Sequence, residues 1–159
     1  MCAAVAADCA CERLRRAARA ISRLYGSALA DLGLTATQLA ILVATRPRGF
    51  LPLSRLAEGL HLDRTSLYRA VRPLGRRGYL HVGPGRNERE RVASVTAKGE
   101  RILQQALPVW ETTQRRFVDA FGARKWAALA PALRQVVSIV QTLDPDPRAR
   151  HRGRPASHR

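Results

Sequence analysis

The 159-residue sequence is poor in lysine, in acidic residues and in aromatic side chains. Lys98 and Lys125 are the only lysines, aromatic residues make up 5% of the chain, and 12 acidic residues stand against 28 basic ones. No run approaches the ~18 consecutive apolar residues that a membrane-spanning helix needs, so we expect no membrane span. The N-terminal residues lack the leading basic region of a signal peptide, and Asp8 interrupts them. We therefore expect a cytoplasmic protein.

Cysteine is also scarce. The three cysteines, Cys2, Cys9 and Cys11, crowd together near the N-terminus. They are too few and too close for the disulfide framework of a secreted domain. A zinc site is not expected either, because Cys9-x-Cys11 is not the usual ligand spacing and no histidine is nearby. We expect no metal and no cofactor.

Positive charge is in large excess. The formal net charge is +16 and the sequence pI is about 11.6. Such a protein attracts polyanions, of which nucleic acid is the commonest and a membrane surface the main competitor. Nearly all the positive charge is arginine, which makes bidentate contacts to guanine and phosphate, although a GC-rich genome would produce the same bias. Residues 35–99 carry a net charge of +8, half of the total.

Apolar residues at helical spacing predict a long first helix over residues 7–32 and a buried second helix that Thr35 caps. Two further helices are predicted over residues 96–143, with Thr96 as the first cap and Gly122 between them. These outer helices carry more apolar surface than so small a domain could cover, including Trp110, Phe117, Phe121 and Trp126. The polar, arginine-rich tail over residues 144–159 is typical of a disordered segment.

The most informative stretch is residues 53–78, LSRLAEGLHLDRTSLYRAVRPLGRRG. It predicts a short helix capped by Ser54, a turn, and a second helix capped by Asp63. One stripe of the second helix is apolar and should face inward, through Leu67, Ala70, Val71 and Leu74. Its other face carries basic and hydroxyl side chains: Arg64, Thr65, Ser66, Tyr68, Arg69 and Arg72. A helix-turn-helix places such a helix in the DNA major groove, although a single basic helix is also typical of an ordinary solvated surface.

Two short strands are predicted next, over residues 79–82 and 91–95, joined by the loop GPGRNERE. After a helix-turn-helix, such a hairpin forms a wing whose arginines can enter the minor groove, although alone it would be an ordinary solvated hairpin. We expect Arg64, Thr65, Ser66 and Arg69 to contact base edges. The other predicted DNA contacts are Tyr68 on the same helix, Arg55 and Arg72 at phosphates, and Arg86, Arg89 and Arg91 in the wing.

The order of these elements resembles the MarR family, the multiple-antibiotic-resistance type of bacterial transcription regulators. Three motifs carry the resemblance, which covers roughly residues 9–143: LGLTATQLAIL, the run described above, and SVTAKGE, which is similar to the family's LTxKG junction. The resemblance implies a mainly α fold with a small β-wing (α+β), a winged helix-turn-helix with long N- and C-terminal dimerisation helices. The implied divisions are residues 1–34 and 97–143 for dimerisation, 35–96 for DNA binding, and 144–159 as a tail.

The resemblance also implies a homodimer that binds double-stranded DNA at a palindromic operator, most often as a repressor. A two-fold dimer would place its recognition helices about one DNA turn, ~34 Å, apart. The family wing usually carries an Asp-x-Arg pattern in which the aspartate braces the arginine. Asn87 and Arg89 occupy the matching positions, and Asn87 cannot supply the ionic brace.

The signal that such a regulator senses is either a small aromatic ligand, in a cleft between the dimer helices and the DNA-binding lobe, or an oxidant. Cys11 and Tyr25 match a reactive cysteine and its tyrosine partner in the organic-hydroperoxide-sensing branch, whereas Arg15 replaces a second tyrosine. A position near a helix N-terminus beside Arg15 favours the reactive thiolate, and Cys9, Cys2 or a cysteine of the partner subunit could resolve an oxidised Cys11. The alternative is that the cysteines pack inertly.

Two other functions are compatible with parts of the sequence. A sequence-indifferent architectural DNA-binding protein would share the charge but would not need hydroxyls on the recognition helix. An enzyme could use Cys11 as a nucleophile, but none of the four histidines is placed to activate it, and no carboxylate cluster or phosphate-binding loop is present. We therefore expect a protein that is not an enzyme.

Overall fold

The structure is a computed structural model that describes residues 9–86 and 90–143. Its elements are α1 (Ala10–Ala28), a 3-10 turn (Ala30–Leu32), α2 (Ala36–Thr45), a second 3-10 turn (Arg46–Arg48), β1 (Leu51–Pro52), α3 (Leu53–Gly59), α4 (Arg64–Arg76), β2 (Leu80–Pro84), β3 (Arg91–Val95), α5 (Ala97–Phe121) and α6 (Ala123–Leu143). The three strands form one antiparallel sheet in the order β1-β3-β2. The predicted fold class, mainly α with a small β-wing, is confirmed.

The first helix is shorter than the predicted one over residues 7–32, and residues 7 and 8 lie outside the described part of the chain. It ends at Ala28, after which a 3-10 turn leads to Gly33. Gly33 has a φ of +63°, a left-handed conformation that glycine adopts without steric cost. Its carbonyl accepts a hydrogen bond from the guanidinium of Arg77, which directly follows α4. This contact ties the end of α4 to the connection between α1 and α2.

Thr35 caps α2 as predicted. The side chains of Thr35 and Gln38 form a capping box, in which the Gln38 N–H donates to Thr35 Oγ1 at 3.2 Å and the Thr35 N–H donates to Gln38 Oε1 at 3.0 Å. Leu39, Ile41 and Leu42 of α2 are buried. The second helix is therefore a core element, as its apolar sequence indicates.

The helix-turn-helix consists of α3 and α4. The predicted cap at Ser54 is wrong, because α3 already begins at Leu53, directly after Pro52, and has no side-chain cap. The predicted cap at Asp63 is confirmed. Leu67, Val71 and Leu74 are buried. The predicted inward stripe is thus the buried face of α4.

The wing is the hairpin of β2 and β3. Leu80 pairs with Val95 and Pro84 with Arg91, so that strand β2 extends two residues beyond the predicted one. The short strand β1 pairs with the other edge of β3 and lies just before α3. The sheet therefore joins the wing to the start of the helix-turn-helix.

The junction between the wing and α5 is held by hydrogen bonds and a close backbone approach. Thr96 Oγ1 donates to the Gly78 carbonyl at 2.6 Å and accepts from the Gly99 N–H at 3.0 Å, which confirms Thr96 as the cap. The Thr96 N–H donates to the Tyr79 carbonyl at 3.1 Å. A Cβ on Gly99 would overlap the Tyr79 carbonyl oxygen, so position 99 has no room for a side chain. The SVTAKGE motif therefore connects the wing to α5 and fixes the start of α5 against Gly78 and Tyr79, which follow α4.

The described chain comprises two compact units, divided between Gln114 and Arg115 within α5. The first unit holds the hydrophobic core, which is built by Leu29, Leu34, Leu39, Ile41, Leu42, Leu51, Leu53, Leu56, Leu67, Val71, Leu74, Leu80, Ala93, Ile102, Leu103 and Ala106. In the second unit Phe117 stacks on Phe121, with ring centroids 5.7 Å apart, and meets Trp126 edge-on at 5.6 Å. No residue of α6 is buried. Among the described residues, no helix is both long and apolar enough to cross a membrane.

We predict that Gly99→Ala lowers the free energy of unfolding by about 2 kcal/mol or more, because the added methyl group collides with rigid backbone. Gly59→Ala is the matched control, since a Cβ there has no neighbour within 4 Å, and its effect should stay below about 1 kcal/mol. Urea unfolding at one fixed protein concentration measures both. Equal stabilities of the two variants would contradict the close approach at Gly99.

Candidate nucleic-acid interface

The exposed face of α4 carries all six side chains predicted to contact DNA from this helix. They are Arg64, Thr65, Ser66, Tyr68, Arg69 and Arg72, and each is exposed. The opposite face is fixed in the core by Leu67, Val71 and Leu74. The helix therefore cannot turn about its axis, and it presents these polar groups on one continuous surface.

The N-terminus of α4 is fastened by Asp63. Its Oδ1 accepts the Ser66 N–H at 2.9 Å, and its Oδ2 accepts the Ser66 hydroxyl at 2.6 Å. These bonds, first the one from the Ser66 side chain and then the one from its backbone, hold the pKa of the Asp63 carboxyl below its ordinary value. The Ser66 proton is engaged by this cap, so Ser66 can accept a hydrogen bond from a base more readily than donate one.

The turn between α3 and α4 is tight. His61 adopts a positive φ of 50°, and the Leu62 N–H donates to the Ala57 carbonyl at 2.9 Å. On α3, the guanidinium of Arg55 donates to the Glu58 carboxylate at 3.1 Å. Arg55, which is predicted to contact a phosphate, is thus exposed but already forms an ion pair with Glu58.

The other arginines of the interface differ in how they are held. The Arg64 guanidinium lies over the Tyr68 ring, with its Cζ 5.6 Å from the ring centroid. Arg69 and Arg72 have no hydrogen bond or ion pair with any residue in the described part of the chain. Their donors are open to an external acceptor such as a phosphate or a base edge.

The wing turn is braced by Glu90. Its Oε2 accepts the backbone N–H of Arg86 at 2.8 Å, and its carbonyl accepts the Gly85 N–H at 2.8 Å. Arg86 and Arg91 are both exposed. Asn87 and Arg89 lie outside the described residues. A carboxylate therefore supports the wing from position 90, whereas the family pattern led us to look for one at position 87.

Among the described residues, Cys9 and Cys11 do not form one site with Tyr25. Cys9 is the N-cap residue of α1, and Cys11 is exposed, with Arg15 Nη2 3.7 Å from its sulfur. Tyr25 lies 14 residues further along the same helix, which is about 21 Å away. Its hydroxyl donates to Gln114 Oε1 on α5, and burial raises its pKa. The structure thus places Arg15 beside Cys11 and places Tyr25 in a contact between helices.

A cleft of about 530 Å³ lies beside the turn end of the wing. It is lined by residues of the β1 region and of the wing: Phe50, Pro52, Pro84, Gly85, Arg86, Glu90 and Val92. This place differs from the ligand cleft that the family resemblance implies, which stays a prediction. In the described part of the chain, no group of three or more histidine, cysteine or acidic side chains could hold a metal ion.

Comparison with known proteins gives matches among solved structures. The transcriptional regulator MosR from M. tuberculosis, in a complex with DNA, is 33% identical with a TM-score of 0.67, over 81% of this chain and 98% of MosR. A mutant of E. coli MarR complexed with operator DNA matches with a TM-score of 0.73 at 21% identity, over 83% and 96% of the two chains. Streptomyces coelicolor PcaV, in complex with its natural ligand, matches with a TM-score of 0.74 at 23% identity, over 84% and 94%. No protein-family profile and no curated protein matches the chain.

The fold, the polar face of α4 and these matches define a winged helix-turn-helix transcriptional regulator. MosR is 33% identical to this chain over 98% of its own length, so the two proteins share sequence as well as fold. The chain belongs to the MarR family.

We predict that Asp63→Ala lowers the melting temperature between about pH 5 and 8 and that this loss shrinks in acid. The pKa of the folded carboxyl is lowered, so the cap stabilises α4 above the ordinary aspartate pKa of about 3.9. That stabilisation is lost as the pH falls through the lower pKa of the folded state. Asp63→Asn, which retains a capping side chain, is the control. A loss that persists unchanged at about pH 2 would exclude the ionised cap as its cause.

Proposed function

We propose that the protein is a homodimeric, sequence-specific DNA-binding regulator that acts as a repressor in the cytoplasm. The observation that carries this proposal is the exposed face of α4, where arginines and hydroxyls stand on a helix whose opposite side is locked into the core. A rigid helix of this kind can enter the major groove with little loss of conformational entropy. The structures of MosR and of E. coli MarR in complex with DNA support the same role.

Within this function, Arg64, Thr65 and Arg69 would contact base edges, since they lie in the first half of α4. Arg72 lies further along the helix and would contact a phosphate, as would Arg55. Arg86 and Arg91 would reach the adjacent minor groove from the wing. Arg89 is included with the wing arginines because of its position in the sequence, since it lies outside the described residues.

The proposed homodimer accounts for apolar surface that the single chain leaves uncovered. On α1, Leu14 and Leu24 are 40% and 41% exposed. On α6, apolar side chains at helical spacing are exposed: Leu133, Val136, Val137, Ile139, Val140 and Leu143. A helix that buries none of its residues gains little from tertiary packing, so a second copy is the partner we propose for it. Analytical ultracentrifugation should give twice the chain mass of 17.6 kDa, and a monomeric mass would refute the dimer.

A two-fold dimer would bind a palindromic operator, because each recognition helix reads one half-site. The competing function is sequence-indifferent, architectural DNA binding, which the charge of +16 alone would provide. The two functions differ in the ratio between affinities for a preferred and a random duplex. A third function, catalysis by Cys11, has little support, because the proteins that this chain resembles are transcriptional regulators.

We predict that Arg69→Ala and Arg72→Ala weaken DNA binding in different ways. Loss of a base contact at Arg69 should reduce affinity for the preferred duplex about 5- to 100-fold and relax specificity. Loss of a phosphate contact at Arg72 should weaken binding to all sequences alike and reduce the salt slope by about one. Fluorescence anisotropy across a salt series measures both effects. Equal weakening on every duplex by Arg69→Ala would make Arg69 a phosphate contact.

An oxidant is the signal that we propose to test first. Cys11 is exposed, with Arg15 Nη2 3.7 Å from its sulfur, and Cys9 precedes it by two residues. A hydroperoxide would oxidise the Cys11 thiol to sulfenic acid and be released as the alcohol, and the Cys9 thiol would then form a disulfide with release of water. Side chains at i and i+2 of a helix point to nearly opposite sides. The disulfide would therefore require the start of α1 to unwind.

We predict that organic-hydroperoxide treatment abolishes binding to the preferred duplex and that a thiol reductant restores it. Cys11→Ser should bind DNA but ignore the oxidant, whereas Cys9→Ser should be oxidised without forming this disulfide. Mass spectrometry of the oxidised chain identifies the bond. Binding that is indifferent to oxidant would leave the cysteines as packing residues and favour a small aromatic ligand as the signal, the kind of control that PcaV with its natural ligand suggests.

A further inference from the structure

Arg64 and Tyr68 form a cation–π pair on the exposed face of α4. They are four residues apart, so they are neighbours on one helix face, and the Arg64 Cζ lies 5.6 Å from the centre of the Tyr68 ring. Side chains of a helix lean toward its N-terminus, which brings the ring over the turn where Arg64 stands. Tyr68 is 38% exposed and reaches into solvent on the same side as the arginine.

This pair differs from the other side-chain contacts of the interface. Arg55 donates N–H groups to the Glu58 carboxylate, which occupies donors that DNA would need. A cation–π contact attracts the guanidinium to the ring without a carboxylate or carbonyl acceptor, so it does not occupy the N–H donors as Glu58 does on Arg55. Arg64 has no hydrogen bond or ion pair elsewhere in the described part of the chain. It is thus held in place while its donors stay available.

The neighbouring cap leaves Arg64 in this state. Asp63 is adjacent in sequence and could have drawn the guanidinium into an ion pair, but its two oxygens accept the N–H and hydroxyl of Ser66. Arg64 is also the first helical residue of α4, and helix-turn-helix proteins contact base edges with the N-terminal residues of this helix. A fixed arginine with open donors at that place suits a guanine, whose O6 and N7 accept two hydrogen bonds from one guanidinium.

We propose that Tyr68 is a positioning residue for sequence recognition, whose ring holds the Arg64 guanidinium with its N–H edge toward a guanine in the major groove. The contact with the ring restricts the long Arg64 side chain before DNA binds, so Arg64 loses less rotamer freedom on binding. Arg64 would then distinguish guanine from the other bases, and Tyr68 would determine how strongly it does so. This inference rests on the sequence-specific function proposed above.

The test uses the full chain and a duplex that the wild-type protein selects from a random pool, with a scrambled duplex of equal length and composition as the control. Affinities are measured for wild type, Tyr68→Phe, Tyr68→Leu, Arg64→Ala and the double variant Arg64→Ala/Tyr68→Leu. Each base pair of the selected duplex is then replaced in turn, which gives a profile of discrimination by position. Melting temperatures verify that the variants fold.

Tyr68→Leu should lower affinity for the selected duplex about two- to fivefold and leave the scrambled duplex unaffected. The lost discrimination should fall at the same base pair at which Arg64→Ala loses it. Tyr68→Phe retains the ring and should behave as wild type. The double variant should bind no worse than Arg64→Ala, because the ring acts only through the arginine.

Three results would overturn the inference. They are an unchanged affinity ratio in Tyr68→Leu, an equal loss in Tyr68→Phe, and a loss at a base pair different from that of Arg64, which would mean that the ring contacts DNA itself. A wild-type protein that binds selected and scrambled duplexes alike would instead refute the proposed sequence-specific function, and the inference with it.

Discussion

The orientation of α4 depends on three buried side chains. Leu67, Val71 and Leu74 are 1%, 4% and 0% exposed, and full burial of each is worth about 1.5–3 kcal/mol. A shift of the helix by one residue would turn it by about 100° and bring this stripe into water. Packing therefore decides which residues face outward. The exposed polar surface of α4 is therefore a consequence of how the core packs.

Much of this arrangement is readable in the sequence because it is encoded locally. The apolar spacing of Leu67, Val71 and Leu74 determines the buried face, and Asp63 marks the start of the helix through a short-range hydrogen bond. Gly33 and Gly122 have positive φ angles, and they mark the end of the first 3-10 turn and the break between α5 and α6. The strands of the wing follow from their β-branched and aromatic residues between turn-forming ones. These signals act over a few residues, so neighbouring sequence is sufficient to predict them.

Features that depend on distant residues were missed or wrongly placed. Tyr25 meets Gln114, which is 89 residues away, and no local pattern could pair them. Ser54 has the chemistry of a helix cap, but the helix starts two residues earlier, directly after the strand that ends at Pro52. Glu90 braces the wing because the hairpin folds it back onto Arg86, and a search for the usual acidic position finds only Asn87. In each case the tertiary fold determines which residues form the contact or begin the helix, and the local sequence leaves several candidates.

The contact between Arg77 and Gly33 links two positions that lie 44 residues apart. Glycine at 33 provides both the left-handed turn and the room in which the guanidinium sits, since a Cβ there would lie 2.7 Å from Arg77 Nη1. A side chain at position 33 would displace the Arg77 guanidinium from the place where it donates to the Gly33 carbonyl. We expect the two positions to be inherited together as related regulators diverge, even though each would look independent in a comparison made one residue at a time.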